Sequence, residues 1–344
     1  MDYSLMFFAS QVSTSNRYEL VVNASTLADE LGFRAVWLPE RHFRDFGGLF
    51  PNPAVMAAAL SLVTQRIELR AGSVITPLHD VLRVAEEWSV VDNLSGGRVA
   101  VSVGSGWNAD DFVLAPENYT DRRAVMREQL TQLRALWRGE PVARRNGTGH
   151  TVDVTIQPRP VQPELRAWAT SAGSPETFRW AGEAGANVLT HLVGQDLSAL
   201  AENIALYRAA LRDAGAPGPG TVTLMVHTYL GAEGEDVRAQ VHHPLRDYLR
   251  SAVSLQGSDM VRRGQVSADE VEAEQALLDE LLDLTVDRYY EQSALLGDAD
   301  KIAQVVDRAA AAGVDEIACL IDFGLPTGAV LDGLKRFASH FIPA

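Results

Sequence analysis

Cysteine is almost missing from this chain, with one, Cys319, among 344 residues. A single thiol excludes an intrachain disulfide, and its place in the apolar run Glu316–Ile321 makes it a packing residue. No stretch approaches the roughly 18 apolar residues of a membrane span. The opening MDYSLMFF has no basic region and too short an apolar run for a signal peptide, so a soluble, cytoplasmic protein is expected. Positive charge is scarce as well: 30 Lys and Arg against 45 Asp and Glu leave a formal charge of −15. That balance argues against nucleic acid as a partner, because the phosphates would be repelled. The eight histidines form no H-E-x-x-H, and adjacent His242 and His243 cannot share one helix face, so no metal is expected. No G-x-S-x-G occurs, which leaves a nucleophile elbow without support.

What the chain does have is alternation. Short apolar runs at Tyr3–Ala9, Ala35–Leu38, Ile67–Ile75, Arg98–Val103, Arg166–Ala169, Asn187–Leu192, Thr221–Leu230 and Glu316–Ile321 read as strands, each followed by a helical pattern. Gly32 and Gly139 close helices, and a proline opens the helix Pro53–Leu62. Two segments break the rhythm. Residues 140–160 carry Asn146-Gly147 and alternate at Val152, Val154 and Ile156, which predicts a small antiparallel excursion. Residues 233–295 are long, charged and helix-patterned, either a lid beside the site or a solvated embellishment. Eight βα units fit one (β/α)8 TIM barrel spanning residues 1–344, an α/β fold with these two insertions. A doubly wound sheet is the alternative that alternation alone does not exclude.

The third and fourth strands and the helix Val81–Leu94 between them form a βαβ unit whose strands end in small residues, Gly72-Ser73 and Gly104-Ser105-Gly106. The G-x-G there is a poor dinucleotide fingerprint, because Asp110 stands where the third glycine belongs. Ala169-Thr170-Ser171-Ala172-Gly173-Ser174-Pro175 is a better anion site, with hydroxyls at a strand end and a helix starting at Pro175. Simple N-capping by Ser174 accounts for the same pattern. Glu40-Arg41-His42-Phe43 follows the second strand, where a barrel places its chemistry. His42 there is either a titrating group set by Glu40 and Arg41 or a satisfied member of an ion pair.

Five blocks together carry a resemblance: Trp37–Phe43, Arg70–Trp88, Val91–Arg98, Gly106–Phe112 and Ser171–Ser174. In this order they resemble the bacterial luciferase-like, flavin-dependent monooxygenases, and most closely the subgroup associated with natural-product biosynthesis. The resemblance implies FMN at the C-terminal face of the barrel and a non-proline cis peptide at Gly72–Ser73 beneath the flavin ring. It implies a phosphate loop at Thr170, Ser171, Gly173 and Ser174, with Ser105 and Asn108 lining the site. Luciferase carries an arginine where Ser105 stands, so charge for the phosphate is reduced here or comes from elsewhere. Its catalytic histidine is replaced by Arg41, so luciferase's acid–base assignment does not transfer; Glu40, Arg41 and His42 remain the catalytic candidates.

The implied reaction is two-component oxygenation. FMN reduced by a separate flavin reductase reacts with dioxygen, and the resulting C4a-peroxyflavin oxygenates an organic substrate, by resemblance a natural-product or carrier-protein-bound intermediate. A deazaflavin-dependent hydride transfer on the same barrel, or a non-catalytic flavin- or carrier-binding barrel, are the other readings. Family members are commonly dimers, and the helices Pro53–Leu62 and Val81–Leu94 are the candidate interface of a homodimer.

Overall fold

Eight strands predicted from apolar runs pair in parallel and close on themselves. In this computed structural model, residues 1–8, 17–45, 47–192, 195–262, 282 and 284–343 are described. The barrel strands are β1 (Asp2–Met6), β2 (Ala35–Leu38), β3 (Glu68–Val74), β4 (Val99–Val103), β7 (Ala167–Ser171), β8 (Asn187–His191), β9 (Val222–Leu230) and β11 (Glu316–Leu320). Each pairs with the next, and β11 closes onto β1. Closure excludes the doubly wound alternative, whose sheet has free edges.

Between the strands run α1 (Glu19–Leu31), α2 (Pro53–Ser61), α3 (Val81–Ser95), α4 (Arg122–Arg138), α5 (Pro175–Glu183), α6 (Leu197–Asp213), α7 (Val237–Arg262), α8 (Ala299–Ala311) and α9 (Thr327–Phe341). Helix ends follow local chemistry. Asn52 and Asp80 accept amide hydrogen bonds at the starts of α2 and α3, and left-handed glycines at 32, 96 and 139 stop α1, α3 and α4. The excursion is the antiparallel pair β5 (Val142–Arg145) and β6 (Thr151–Val154), apart from the barrel.

Every residue of β2, β4 and β11 is buried, as strands walled by helices on one side and side chains on the other must be. Cys319 lies inside with no exposure, and burial pushes its thiol pKa up to about 12, in keeping with an inert packing role. At the opposite end from the strand C-termini sits a charged core. Arg70 donates from Nη1 to both carboxylate oxygens of Glu316 (3.0 and 2.9 Å) and from Nε to Glu68 (2.9 Å). Its guanidinium carbon lies 4.8 and 4.6 Å from the ring centroids of Trp37 and Trp168. Ser4 and the Trp37 indole donate to the same Glu316 oxygen (2.6 and 3.2 Å). Side chains from five strands are thereby locked beneath the cavity described next.

The insertion holds one strand that its pattern did not reveal. β10 (Leu295–Gly297) pairs in parallel with Thr228–Leu230 of β9, beyond the part of β9 that β8 and β11 occupy. The described part of the insertion packs one face against the barrel. Val237, Val241, Leu245 and Tyr248 of α7 are buried, Tyr248 meets the His227 ring edge-on at 4.4 Å, and Tyr289 bonds His227 Nδ1 at 2.8 Å. Residues 263–281 and 283 of that segment lie outside the described residues. No described helix is long and apolar enough to cross a membrane.

Candidate active site

All eight strands point their C-terminal ends to one side, and there they enclose a cavity of about 380 Å³. That volume lies within the range of small-molecule and cofactor pockets. Its floor is the end of β3. The Gly72–Ser73 peptide is cis, as the resemblance implies. A Cβ on Gly72 would stand 3.1 Å from Trp37 and 3.3 Å from Met6, so the crowded side of this bond is core. Ser73 and Ser102 both hydrogen-bond the Thr170 hydroxyl, the second at 2.7 Å, which ties β3, β4 and β7 together under the cavity. No helix opens at Gly106; its φ of 73° turns the chain where a Cβ would lie 2.8 Å from Ile75 and 2.9 Å from Phe112. The G-x-G is thus a tight strand end, not a dinucleotide loop.

One end of the cavity is built for an anion. Ser171 and Ser174 line it with Thr177, at the start of α5 where backbone N–H groups have no helical acceptor. Ser174 Oγ accepts from the Thr177 N–H at 3.4 Å, and Ser171 Oγ accepts from the Gly173 N–H at 3.3 Å, so capping and anion binding are compatible readings of the same loop. Across from it, Arg122 and Arg123 in the first turn of α4 also line the cavity. Arg122 is fixed by donating to the carbonyls of Gly106 and Tyr119, both at 2.9 Å. Other arginines surround the start of α5 at Glu176. A hydrogen bond from Arg127, with Arg123 and Arg179 nearby, holds that carboxyl below its usual range. Arg122 and Arg123 thus bring two cations to the cavity, whereas Ser105 brings none.

The other wall carries Glu40 and Arg41. Glu40 is buried, with Oε1 bonded to His42 Nε2 (2.9 Å) and to His79 Nε2, and Oε2 accepting from the Ile75 N–H (2.6 Å). Burial pushes this carboxyl up, but the hydrogen bonds from His42, His79 and Ile75 outweigh it and hold the group below its ordinary value. His79 moves oppositely: burial works against its charged form, yet Glu40 raises it on balance. Arg41 lies over the Phe8 ring at 4.1 Å and is 5.8 Å from the Trp107 ring. Asp111 lines the cavity close to Glu40 and His42, and burial raises its pKa.

Of the residues singled out in the sequence, Glu40, Arg41, Gly72, Ser73, Ser105, Thr170, Ser171 and Ser174 line this one cavity. His42 stands behind Glu40 as its buried partner rather than on the wall. Asn108 also stands behind the wall: it is buried and donates to Asp111 Oδ1 at 2.6 Å. Gly173 (φ 106°) supports the loop, its carbonyl accepting from Asn203 at 3.2 Å. Arg122, Arg123, Asp111 and His79 escaped sequence reasoning. Two arginines in a helix's first turn oppose the helix dipole, and that mismatch was the available signal for the first pair.

A family profile described as luciferase-like monooxygenase matches residues 1–316. The oxygenase component of flavin-dependent trigonelline monooxygenase from Acinetobacter baylyi is 22% identical over 358 residues, covering all of this chain and 95% of that protein. An F420-dependent glucose-6-phosphate dehydrogenase from Amycolatopsis mediterranei is 31% identical over 174 residues, 48% of this chain and 51% of that protein. Among solved structures, monooxygenase RslO1 from Streptomyces bottropensis superposes with a TM-score of 0.77 at 25% identity, covering 100% of this chain and 99% of that one. The oxygenating constituent of 3,6-diketocamphane monooxygenase from Pseudomonas putida, solved with FMN, gives 0.77 at 16% identity, covering 99% and 97%.

Proposed function

The chain belongs to the luciferase-like monooxygenase family, and from that premise we propose that it is the oxygenase of a two-component system using reduced FMN and dioxygen. The observation that carries the reading is a single cavity lined at one end by Ser171, Ser174, Thr177, Arg122 and Arg123 and along another wall by the ionisable groups Glu40, Arg41 and Asp111. Such a donor set fits a ribityl phosphate at one end and a flat ring over Gly72-Ser73 at the other. When bound, the flavin supplies activation of dioxygen and transfer of one oxygen atom to an organic substrate.

The chain's own residues do the rest. The α5 N-terminus and the α4 arginines hold the phosphate and so fix the ring's position. Thr170, tied to Ser73 and Ser102, keeps the floor rigid. Glu40 is held at the wall by its hydrogen bonds with His42 and His79, and Arg41 places a cation on the same wall. Tyr248, packed near Phe8 (6.2 Å between ring centroids), helps the α7 segment exclude water from that side. The substrate belongs, on this reading, to the natural-product or carrier-protein-bound intermediates that the sequence resemblance implies. A flavin reductase is the partner, in line with a relative that is named an oxygenase component. The unpaired apolar faces of α2 and α3, with Val55, Leu62 and Leu94 exposed, suit a homodimer.

A deazaflavin cofactor is the second reading, because an F420-dependent relative matches part of this chain. One experiment separates the two. Anaerobic titration with reduced FMN is expected to saturate, and admission of dioxygen to give a transient absorbance band with oxygen consumption. Tight F420 binding without oxygen consumption would replace this reading with hydride transfer. Absence of binding by either cofactor would end both.

A further inference from the structure

Three side chains from two stretches, the loop after β2 and the turn before α3, bring one ligand atom each to one point. One ligand atom each of Glu40, His42 and His79 lies within 4.8 Å of the other two, and both His42 Nε2 and His79 Nε2 hydrogen-bond Glu40 Oε1. We propose that Glu40, His42 and His79 form a binding site for a divalent transition-metal ion in the wall of the cavity. The absence of H-E-x-x-H from the sequence does not bear on it, because the histidines come from the loop after β2 and from the turn before α3.

The site meets the requirements of a built metal centre in turn. Two imidazoles and one carboxylate suit zinc or ferrous iron, whereas magnesium and calcium demand oxygen donors. The His42 Nε2 to Glu40 Oε1 separation of 2.9 Å is an edge that two ligands about 2.0–2.2 Å from one ion can share. His79 Nε2, closer still to that oxygen, needs only a small outward rotation. The second shell is in place: Glu40 Oε2 is held by the Ile75 N–H at 2.6 Å, which leaves Oε1 directed at the histidines. An entry path exists because the His79 side chain is 30% exposed while those of His42 and Glu40 are 9% and 1% exposed. Local charge is balanced toward a cation, with Asp111 and Glu40 against Arg41.

Three protein ligands leave a fourth position of a tetrahedral ion open, the arrangement of a site that accepts an exogenous ligand. Glu40 lines the cavity, so that position lies at its wall. Metal there would take Glu40 and both histidines out of proton exchange with the cavity. Zinc is therefore expected to act as a ligand of this wall whether or not a flavin is bound.

The test uses the full-length, flavin-free protein, so it stands or falls apart from the flavin reading. Zn²⁺ is titrated against a chromophoric chelator, and Co²⁺ is substituted to read ligand-field bands. Wild type is expected to take one equivalent of Zn²⁺, and His79→Ala to bind it about 100-fold more weakly. His243→Ala, an exposed histidine on α7, should bind as wild type does. Glu40→Gln should shift the Co²⁺ spectrum while retaining the fold by circular dichroism. Failure to bind one equivalent, or undiminished affinity in folded His79→Ala, would overturn the assignment and leave a hydrogen-bonded cluster only.

Discussion

Glutamine at position 316 would remove one charge from the barrel's floor and almost none of its shape. The Arg70 and Glu316 side chains are each 2% exposed, so neither charge is solvated by water. Breaking a buried pair by neutralising one member costs about 3–5 kcal/mol, because the other charge is left behind. Two features put Glu316→Gln at the lower end, near 3 kcal/mol. The amide oxygen still accepts from Ser4 and Trp37, and Glu68 still faces Arg70 at 2.8 Å. Glu68 is shared with Arg34 and Arg166, so it offsets the loss only in part. At roughly 2 °C per kcal/mol for a chain of this size, the melting temperature should fall about 6 °C. Thermal and urea unfolding followed by circular dichroism read the change. A drop under about 2 °C would refute the reasoning, since it would mean that Arg70 does not depend on its partner. The double variant Arg70→Met with Glu316→Leu leaves no orphaned charge from this pair. It should lose less stability than the two single variants summed, and strict additivity would contradict a coupled pair.

Ser174→Glu places a negative charge at the phosphate end; at ~5 Å and an effective dielectric near 20 the repulsion is about 3 kcal/mol, so reduced-FMN affinity should fall about 100-fold. Unchanged affinity in a fluorescence titration would move the phosphate elsewhere. Arg41→Ala should depress turnover more than flavin affinity, and the reverse result would make it a binding residue. Val55 and Leu62 are 67% and 71% exposed on adjoining turns of α2 and just past it, and Leu94 of α3 is 49% exposed. Glutamates at Val55 and Leu94 should therefore convert a dimer to monomer in sedimentation, and a monomeric wild type would end that reading. Stability should also depend on pH at both ends. Glu40 and Glu68 are held low, so their contributions are complete above the ordinary glutamate pKa of about 4.3 and vanish as pH falls through their lowered folded values. His79 is held high, so its contribution is present below the ordinary histidine pKa of about 6.5 and is lost as pH rises through its raised folded value. Urea midpoints from pH 3 to 9 should trace both falls, with His79→Gln removing the alkaline one.

The barrel was legible because its strands are largely buried runs separated by amphipathic helices, a pattern that survives without any tertiary information. β10 was not, since three residues at the edge of a charged segment give no periodicity to read. The end of the cavity proposed to hold the phosphate was half legible. Ser171 and Ser174 sit at a strand–helix junction with a proline at N1, a local signature, whereas Arg122 and Arg123 belong to a helix whose apolar face drew the reading to Met126 and Leu130. Glu40 was found by its place after β2. His79 was not, because its tie to Glu40 spans 39 positions and only the β2–β3 pairing brings them together. Asn108 looked like a wall residue by position; its side chain turned instead to Asp111, a contact that the spacing in sequence allowed but did not single out.

The placement of β10 bears on how this scaffold can change. The chain leaves β9 at Leu230 and returns at Leu295–Gly297 alongside the very residues it left, with the Gly231 N–H donating to the Gly297 carbonyl at 3.0 Å. The connection from β9 to β10 is therefore closed at one junction, and the register of the described barrel strands is set by their pairing with one another. Lengthening such a loop costs little, about 0.6 kcal/mol per doubling. Evolution or design can then change the length of chain beyond this junction while the floor of the barrel keeps its dimensions.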